Sequence, residues 1–307
     1  MKKFKPAAYI LLGLILLAGI VLYIIFLVKN PETKTMNAAA RSTAGGQFIP
    51  LPNGITHYER GGTDTGKTVI LIHGFSVPYY IWNGTYDSLL QHGFDVIRYD
   101  EFGRGFSDRP DAIYNPAFYR KQLADLISAL KINAPVNVIA VSFGGAVAAD
   151  FAVHYPAMVN KIILIDPVYI FSKTGEPEII TNYTMAFNHE KMANGQLEDF
   201  KYPEHFAGWV DTYKIQMQYK GFRHALISTL NNYSGDDILS NYRSLNRLHK
   251  KILLIWGEED RTVPFKFSDS LQQILQADFL PVKDAGHLPY LEQPGLVNKK
   301  IISFLRE

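Results

Sequence analysis

Short, unbroken apolar runs recur along the chain and alternate with stretches of helical pattern. The runs lie at 68–72, 94–99, 136–141, 161–166 and 251–256, and helical patterns occupy 117–131 and 143–154. Runs this short, bounded by turn residues, suit strands buried on both faces. Their alternation with helices predicts a mostly parallel sheet covered on both sides. Phe48-Ile49-Pro50-Leu51 and Ile55-Thr56-His57-Tyr58-Glu59 predict an antiparallel hairpin that opens the sheet, and Phe279-Leu280-Pro281-Val282 is its last strand signal.

Between 168 and 249 no core strand is signalled. The interval is too long for one crossover and carries helical patterning of its own, so it reads as a helical cap inserted over one end of the sheet. It is rich in aromatic residues, among them Tyr169, Phe171, Tyr183, Phe187, Phe206, Trp209, Tyr213, Tyr219 and Phe222. Taken singly, each reads as part of the cap's own core. Taken together, they suggest an apolar pocket beneath the cap. The core is then expected at 47–167 and 250–307.

The longest apolar run, Tyr9 to Val28, has no charge and matches the roughly 20 residues that cross a bilayer. A cleaved signal has a shorter apolar stretch with a small-residue site close behind it. Here Lys29-Asn30-Pro31 follows, and Ala38-Ala39-Ala40 lies far downstream. Residues 1–30 are expected to be an uncleaved membrane anchor, with a secreted form after signal cleavage as the alternative. Lys2, Lys3 and Lys5 before the run favour a cytoplasmic N-terminus and a catalytic domain on the far side. Residues 31–46, rich in Asn, Thr, Ala, Ser and Gly, read as a tether.

Composition changes this picture little. The net charge is +2, and the four lysines of residues 1–30 exceed it, so the remainder is slightly acidic and offers no basic stripe for nucleic acid. There is no cysteine, hence no disulfide framework. No spacing of His and acidic residues argues for a metal site, and no cofactor is expected.

The candidate chemistry starts at Ser142. Asn137 to Val141 is a buried strand, Phe143-Gly144-Gly145-Ala146 opens a small-residue helix, and Ser142 stands at the turn between them. Such an elbow exposes a serine hydroxyl at the edge of a sheet. An ordinary helix N-cap is the alternative reading of the same serine. A serine nucleophile needs a base, an orienting carboxylate and an oxyanion hole. The run 68–72 ends in His73-Gly74-Phe75, where the Phe75 N–H could act with the Phe143 N–H on an oxyanion. The His73 imidazole reads as a strut for that loop. His73, Gly74 and the cap residue Trp209 are the candidates to line the substrate. Run 251–256 ends in Gly257-Glu258-Glu259-Asp260, and the strand-Gly-x-x-Asp spacing selects Asp260 over its two acidic neighbours. Among nine histidines, His287 alone follows the last strand signal and precedes the last helix.

With these segments in hand, the chain resembles α/β-hydrolases of the serine esterase/lipase branch over residues 45–305. Arg98-Tyr99-Asp100-Glu101-Phe102-Gly103-Arg104-Gly105 resembles that family's glycine-rich loop after the fourth strand, with Asp100 in a structural role. The elbow departs from G-x-S-x-G, because Ala140 replaces the first glycine. The resemblance implies Ser142 as nucleophile, His287 as base and Asp260 as orienter, acting on carboxylic esters of lipidic or medium-chain acids. The layout also resembles membrane-anchored monoacylglycerol lipases. A meta-cleavage type of C–C hydrolase is the enzymatic alternative, although Leu288 stands where those enzymes usually carry tryptophan. A non-catalytic binding module of the same fold is the alternative from another class.

Overall fold

Eight strands form one sheet: β1 (Gln47–Leu51), β2 (Gly54–Gly61), β3 (Thr68–Ile72), β4 (Asp95–Tyr99), β5 (Val136–Val141), β6 (Val159–Ile165), β7 (Lys251–Gly257) and β8 (Asp278–Val282). The computed structural model describes residues 6–63, 67–171, 173, 175–233 and 235–307. The strand order is β1-β2-β4-β3-β5-β6-β7-β8. β1 and β2 form the expected hairpin, β2 is antiparallel to β4, and the pairings from β4 to β8 are parallel. β6 starts at Val159, two residues before the apolar run suggests, because the polar pair Asn160 and Lys161 interrupts the run without interrupting the backbone.

The central strands are buried on both faces, and alternate side chains serve opposite halves of the core. Ile70, Ile72, Val138, Ala140, Ile162 and Leu164 pack on one side. Val69, Leu71, Ile139, Val141, Ile163 and Ile165 pack on the other. Each such aliphatic side chain contributes about 1.5–3 kcal/mol on burial, so this alternation fixes the register. Helix Pro116–Ala129 shows why a local sequence starts where it does. Asn115 accepts a hydrogen bond from the Phe118 N–H at 3.0 Å, and Pro116 takes the first helical position, where a missing N–H costs nothing.

Helices Glu178–Phe187, His189–Asn194, Trp209–Met217 and Phe222–Asn232 make up the cap. The inserted segment rejoins the core earlier than expected. Helix Gly235–Asn246 presents Ile238, Tyr242 and Leu245, spaced four and three apart, to the same cluster as the sheet residues. The Tyr242 hydroxyl donates to the Val168 carbonyl at 3.0 Å, closing the base of the insertion.

The N-terminal helix Pro6–Lys29 has 24 residues, about 36 Å of length, and is a candidate transmembrane span. Lys2, Lys3 and Lys5 lie outside the described residues. The expected tether is not loose. Lys34 forms a parallel bridge with Tyr219, and Glu32 accepts from the backbone N–H groups of Gly221 and Arg223. Arg41 bonds Asp108, and Gly45 offers its carbonyl to His57. Composition alone suggests a flexible segment; pairing with the cap and the core orders it.

Candidate active site

Three strand ends converge on one pocket. Ser142 follows β5 with φ 55° and ψ −125°, a left-handed conformation that costs a non-glycine residue energy. Its N–H donates to the Ile165 carbonyl, and its own carbonyl accepts from Gly145 and Val168, so the strained turn is clamped by backbone on both sides. The side chain makes no capping bond, which sets aside the N-cap reading. A Cβ on Gly144 would lie 2.4 Å from the His73 carbonyl oxygen and 2.7 Å from that of Ile72, so only glycine lets the helix start this close to β3. Ala140, where the family pattern has glycine, is fully buried and its methyl packs within the core.

Asp260 follows β7, and His287 lies in the loop after β8. The His287 Nδ1–H donates to Asp260 Oδ2 at 2.7 Å, and both groups are buried. The other Asp260 oxygen accepts from the N–H groups of Thr262 and Val263 at 2.8 and 2.9 Å. Burial pulls the His287 pKa down, but the charge and hydrogen bond of Asp260 outweigh it, with help from Asp199, so the net shift is upward. With Nδ1 committed, Nε2 is the nitrogen left for chemistry. Ser142 and His287 line one cavity of about 180 Å³ with Gly74, Phe75, Ser76, Val77, Ile81, Val141, Gln196, Asp199, Thr262 and Leu288.

The loop after β3, which carries Phe75, is anchored by residues that the sequence does not single out. Arg104 is fully buried and donates Nε to the Phe75 carbonyl at 2.9 Å, while Nη1 reaches the Tyr119 hydroxyl at 2.7 Å. This grip holds the Phe75–Ser76 peptide, next to the one that carries the Phe75 N–H. The Phe143 N–H belongs to the first turn of a helix, where N–H groups lack intrahelical partners.

Two expected substrate contacts need correction. His73 is wholly enclosed, and burial lowers its pKa to about 4. Its Nδ1–H donates to the Gly74 carbonyl, and its Nε2 accepts from the Glu101 N–H. Both nitrogens are spent on holding the loop, leaving none for a substrate. Trp209 does not line the cavity; it meets Tyr80, Phe200 and Phe206 edge to face. The cap aromatics pack partly on one another, as in the stacked Phe200 and Phe206, and partly on core rings, as Phe171 does on Phe75 and Phe143. What the cap sends into the cavity is polar, namely Gln196 and Asp199.

Asp199 and Asp166 also escape a reading of the sequence, because no local pattern marks either. The Asp199 carbonyl accepts from the His287 N–H at 2.7 Å, and its carboxylate accepts from the Thr262 hydroxyl. Asp166 follows β6, is fully buried and accepts from the Gly257 N–H at 2.9 Å. Burial, then the neighbouring Asp260 charge, pushes its carboxyl well above the usual range. Ligand atoms of Asp166, Asp260 and His287 lie within 4.8 Å of one another. Both Asp260 oxygens are already hydrogen-bonded within the protein. Asp100 is structural, as expected, accepting from the buried His57 Nδ1 and from the N–H groups of Tyr79 and Phe106.

The chain is similar to several known proteins. An uncharacterised protein of Mycobacterium tuberculosis is 40% identical over 101 residues, which are 33% of this chain and 29% of that protein. The matched region thus spans less than a third of that relative's length. Lipase 3 of Moraxella sp. is 24% identical over 244 residues, 76% of each chain. The solved structure of a meta-cleavage product hydrolase from Pseudomonas fluorescens superposes with a TM-score of 0.71 at 23% identity, covering 85% of this chain and 97% of that one. The sequence profile of the alpha/beta hydrolase family matches residues 69–300, and the chain belongs to that family.

Proposed function

We propose that this protein is a serine hydrolase that cleaves carboxylic esters through an acyl-enzyme on Ser142. The observation that carries the reading is one cavity shared by a serine on a strained, uncapped elbow and a histidine whose Nδ1 is bound to a buried carboxylate. The Ser142 hydroxyl oxygen attacks the ester carbonyl as its proton passes to His287 Nε2. Asp260 holds the imidazole and stabilises its cation. The N–H groups of Phe75 and Phe143 receive the oxyanion. Collapse breaks the C–O bond, and His287 returns the proton to the leaving alkoxide. A water, deprotonated by His287, then attacks the acyl carbon and frees the acid and Ser142.

The cavity supports a particular kind of ester. Phe75, Val77, Ile81 and Leu288 offer apolar walls, while Gln196, Asp199 and Thr262 offer polar ones. An acyl chain against the first set and a hydroxylated alcohol beside the second would satisfy both. At about 180 Å³ the cavity holds a short acyl group, and a lipidic or medium-chain one requires the cap to move. The helix spanning Ala8–Lys29 would anchor the enzyme as a single pass, with a cytoplasmic N-terminus and an extracytoplasmic catalytic domain.

The test is hydrolysis of p-nitrophenyl esters from acetate to palmitate by the full chain in detergent. Turnover with a chain-length optimum, absent in Ser142→Ala, supports the reading. A folded wild-type chain that turns over no ester contradicts it.

A further inference from the structure

The residues that follow the membrane helix are built into the cap. The Phe26 ring, in the last turns of that helix, lies 4.4 Å from the Tyr183 ring of cap helix Glu178–Phe187. Arg223 of the next cap helix places its guanidinium carbon 5.8 Å from the same Phe26 ring. Asn30 Oδ1 accepts from Arg223 Nη1 at 2.8 Å. Glu32 accepts from the Gly221 and Arg223 N–H groups at 3.0 and 2.7 Å and pairs with the Arg223 side chain. These two side chains are only 9% and 4% exposed. Three steps of chain separate Lys29 from Glu32, which span at most about 10 Å. The cap surface around Glu32 is therefore fixed beside the end of the membrane helix, with no slack for it to swing away.

The cap helix that touches Phe26 leaves two isoleucines bare. Ile179 and Ile180 are 66% and 51% exposed. They precede Tyr183 by four and three residues, so they share its side of the helix. Phe187 and Ile170 are exposed nearby in sequence. An apolar helix face at the water boundary of a bilayer is stabilised by lying in the headgroup region. A protein partner on this face would have to share the space beside Phe26 with acyl chains.

We propose that the bilayer surface covers the Ile179–Ile180 face of the cap, so that the cap, rather than the sheet, is the membrane-seated part of the molecule. This rests on reading Ala8–Lys29 as a membrane span. Asn133, exposed before the N-terminal end of β5, lies at the end of the sheet opposite the elbow and stays in water on this account.

The chain has no cysteine, so Ile180→Cys and Asn133→Cys can each carry a single environment-sensitive nitrobenzoxadiazole label on the full chain. Both are reconstituted in phosphatidylcholine vesicles that contain spin-labelled lipid. The expected result is that both proteins float with the vesicles, while only the Ile180→Cys label shifts to the blue and is quenched by the lipid spin label. Flotation with an Ile180→Cys label as water-exposed as the Asn133→Cys label overturns the cap proposal and leaves the anchor intact. A label shielded from aqueous iodide yet not quenched by lipid means a protein or a second copy covers the face, and also overturns it. Failure to float removes the membrane span, and the proposal with it.

Discussion

Asp166 and Asp260 end neighbouring strands and bring two buried carboxyl groups together behind the His287 imidazole. Asp260 faces the imidazole, and burial beside it pushes the Asp166 carboxyl well above the usual carboxylate range. A raised folded-state pKa on an acid means that the folded protein binds more protons than the unfolded chain above pH ~4, so stability falls as pH rises from there toward the raised value. Asp166→Asn keeps the shape and is neutral at every pH. Its thermal midpoint is expected to match wild type near pH 4 and to exceed it as pH rises. A variant that loses stability equally at every pH would show that Asp166 is ionised.

The base role proposed for His287 needs the neutral imidazole, and its pKa lies above the ordinary 6.5. The kcat/KM profile for an ester is therefore expected to rise with pH and to reach half its plateau above 6.5. Asp260→Asn removes the charge that raises the pKa and misorients the ring. The half-rise should move to lower pH and kcat should drop by about ten-thousand-fold. An unshifted profile would separate Asp260 from His287.

At the elbow, two small residues behave differently. Gly144→Ala forces a methyl to 2.4 Å from a backbone carbonyl oxygen, so β3 or the helix must move and both activity and yield should collapse. Ala140→Gly only removes a packed methyl and loosens a strand, costing about 0.5–1 kcal/mol of stability with kcat retained. Urea unfolding and ester turnover on both variants check this contrast.

Glu32 satisfies two cap N–H groups and one buried guanidinium. Glu32→Ala leaves the buried Arg223 with its bonds to Asn30 and Asn182 but without the Glu32 counter-charge, a loss of up to about 3 kcal/mol concentrated in the cap. Hydrogen exchange should show faster opening of Glu178–Phe187 and Phe222–Asn232, with the strands unchanged. Equal protection in variant and wild type would show that the segment is not part of the cap.

The fold was legible because its strands are buried on both faces and so appear as continuous apolar runs, as at Val69 to Ile72 and Ile252 to Trp256. Ser142 was legible because an elbow needs small neighbours in a fixed local order. What escaped depends on partners distant in sequence. Glu32 looks like a linker residue until Arg223 is beside it, and Asp166 looks like any strand-end acid until Asp260 faces it. The cap aromatics misled because composition cannot tell a side chain that lines a cavity from one that packs on its neighbour, as Trp209 does edge to face on Phe200. His73 was read both as a strut of its loop and as a substrate contact, and its hydrogen bonds to Gly74 and Glu101 fit the strut.

The central claim is that Ser142 is an activated nucleophile. Treating the full chain with a fluorophosphonate and mapping the adduct by peptide mass spectrometry tests it most directly. The account predicts one adduct, on the peptide that carries Ser142, lost in Ser142→Ala and strongly slowed in His287→Ala. A folded wild-type chain that gives no adduct, or an adduct on another residue, would contradict it.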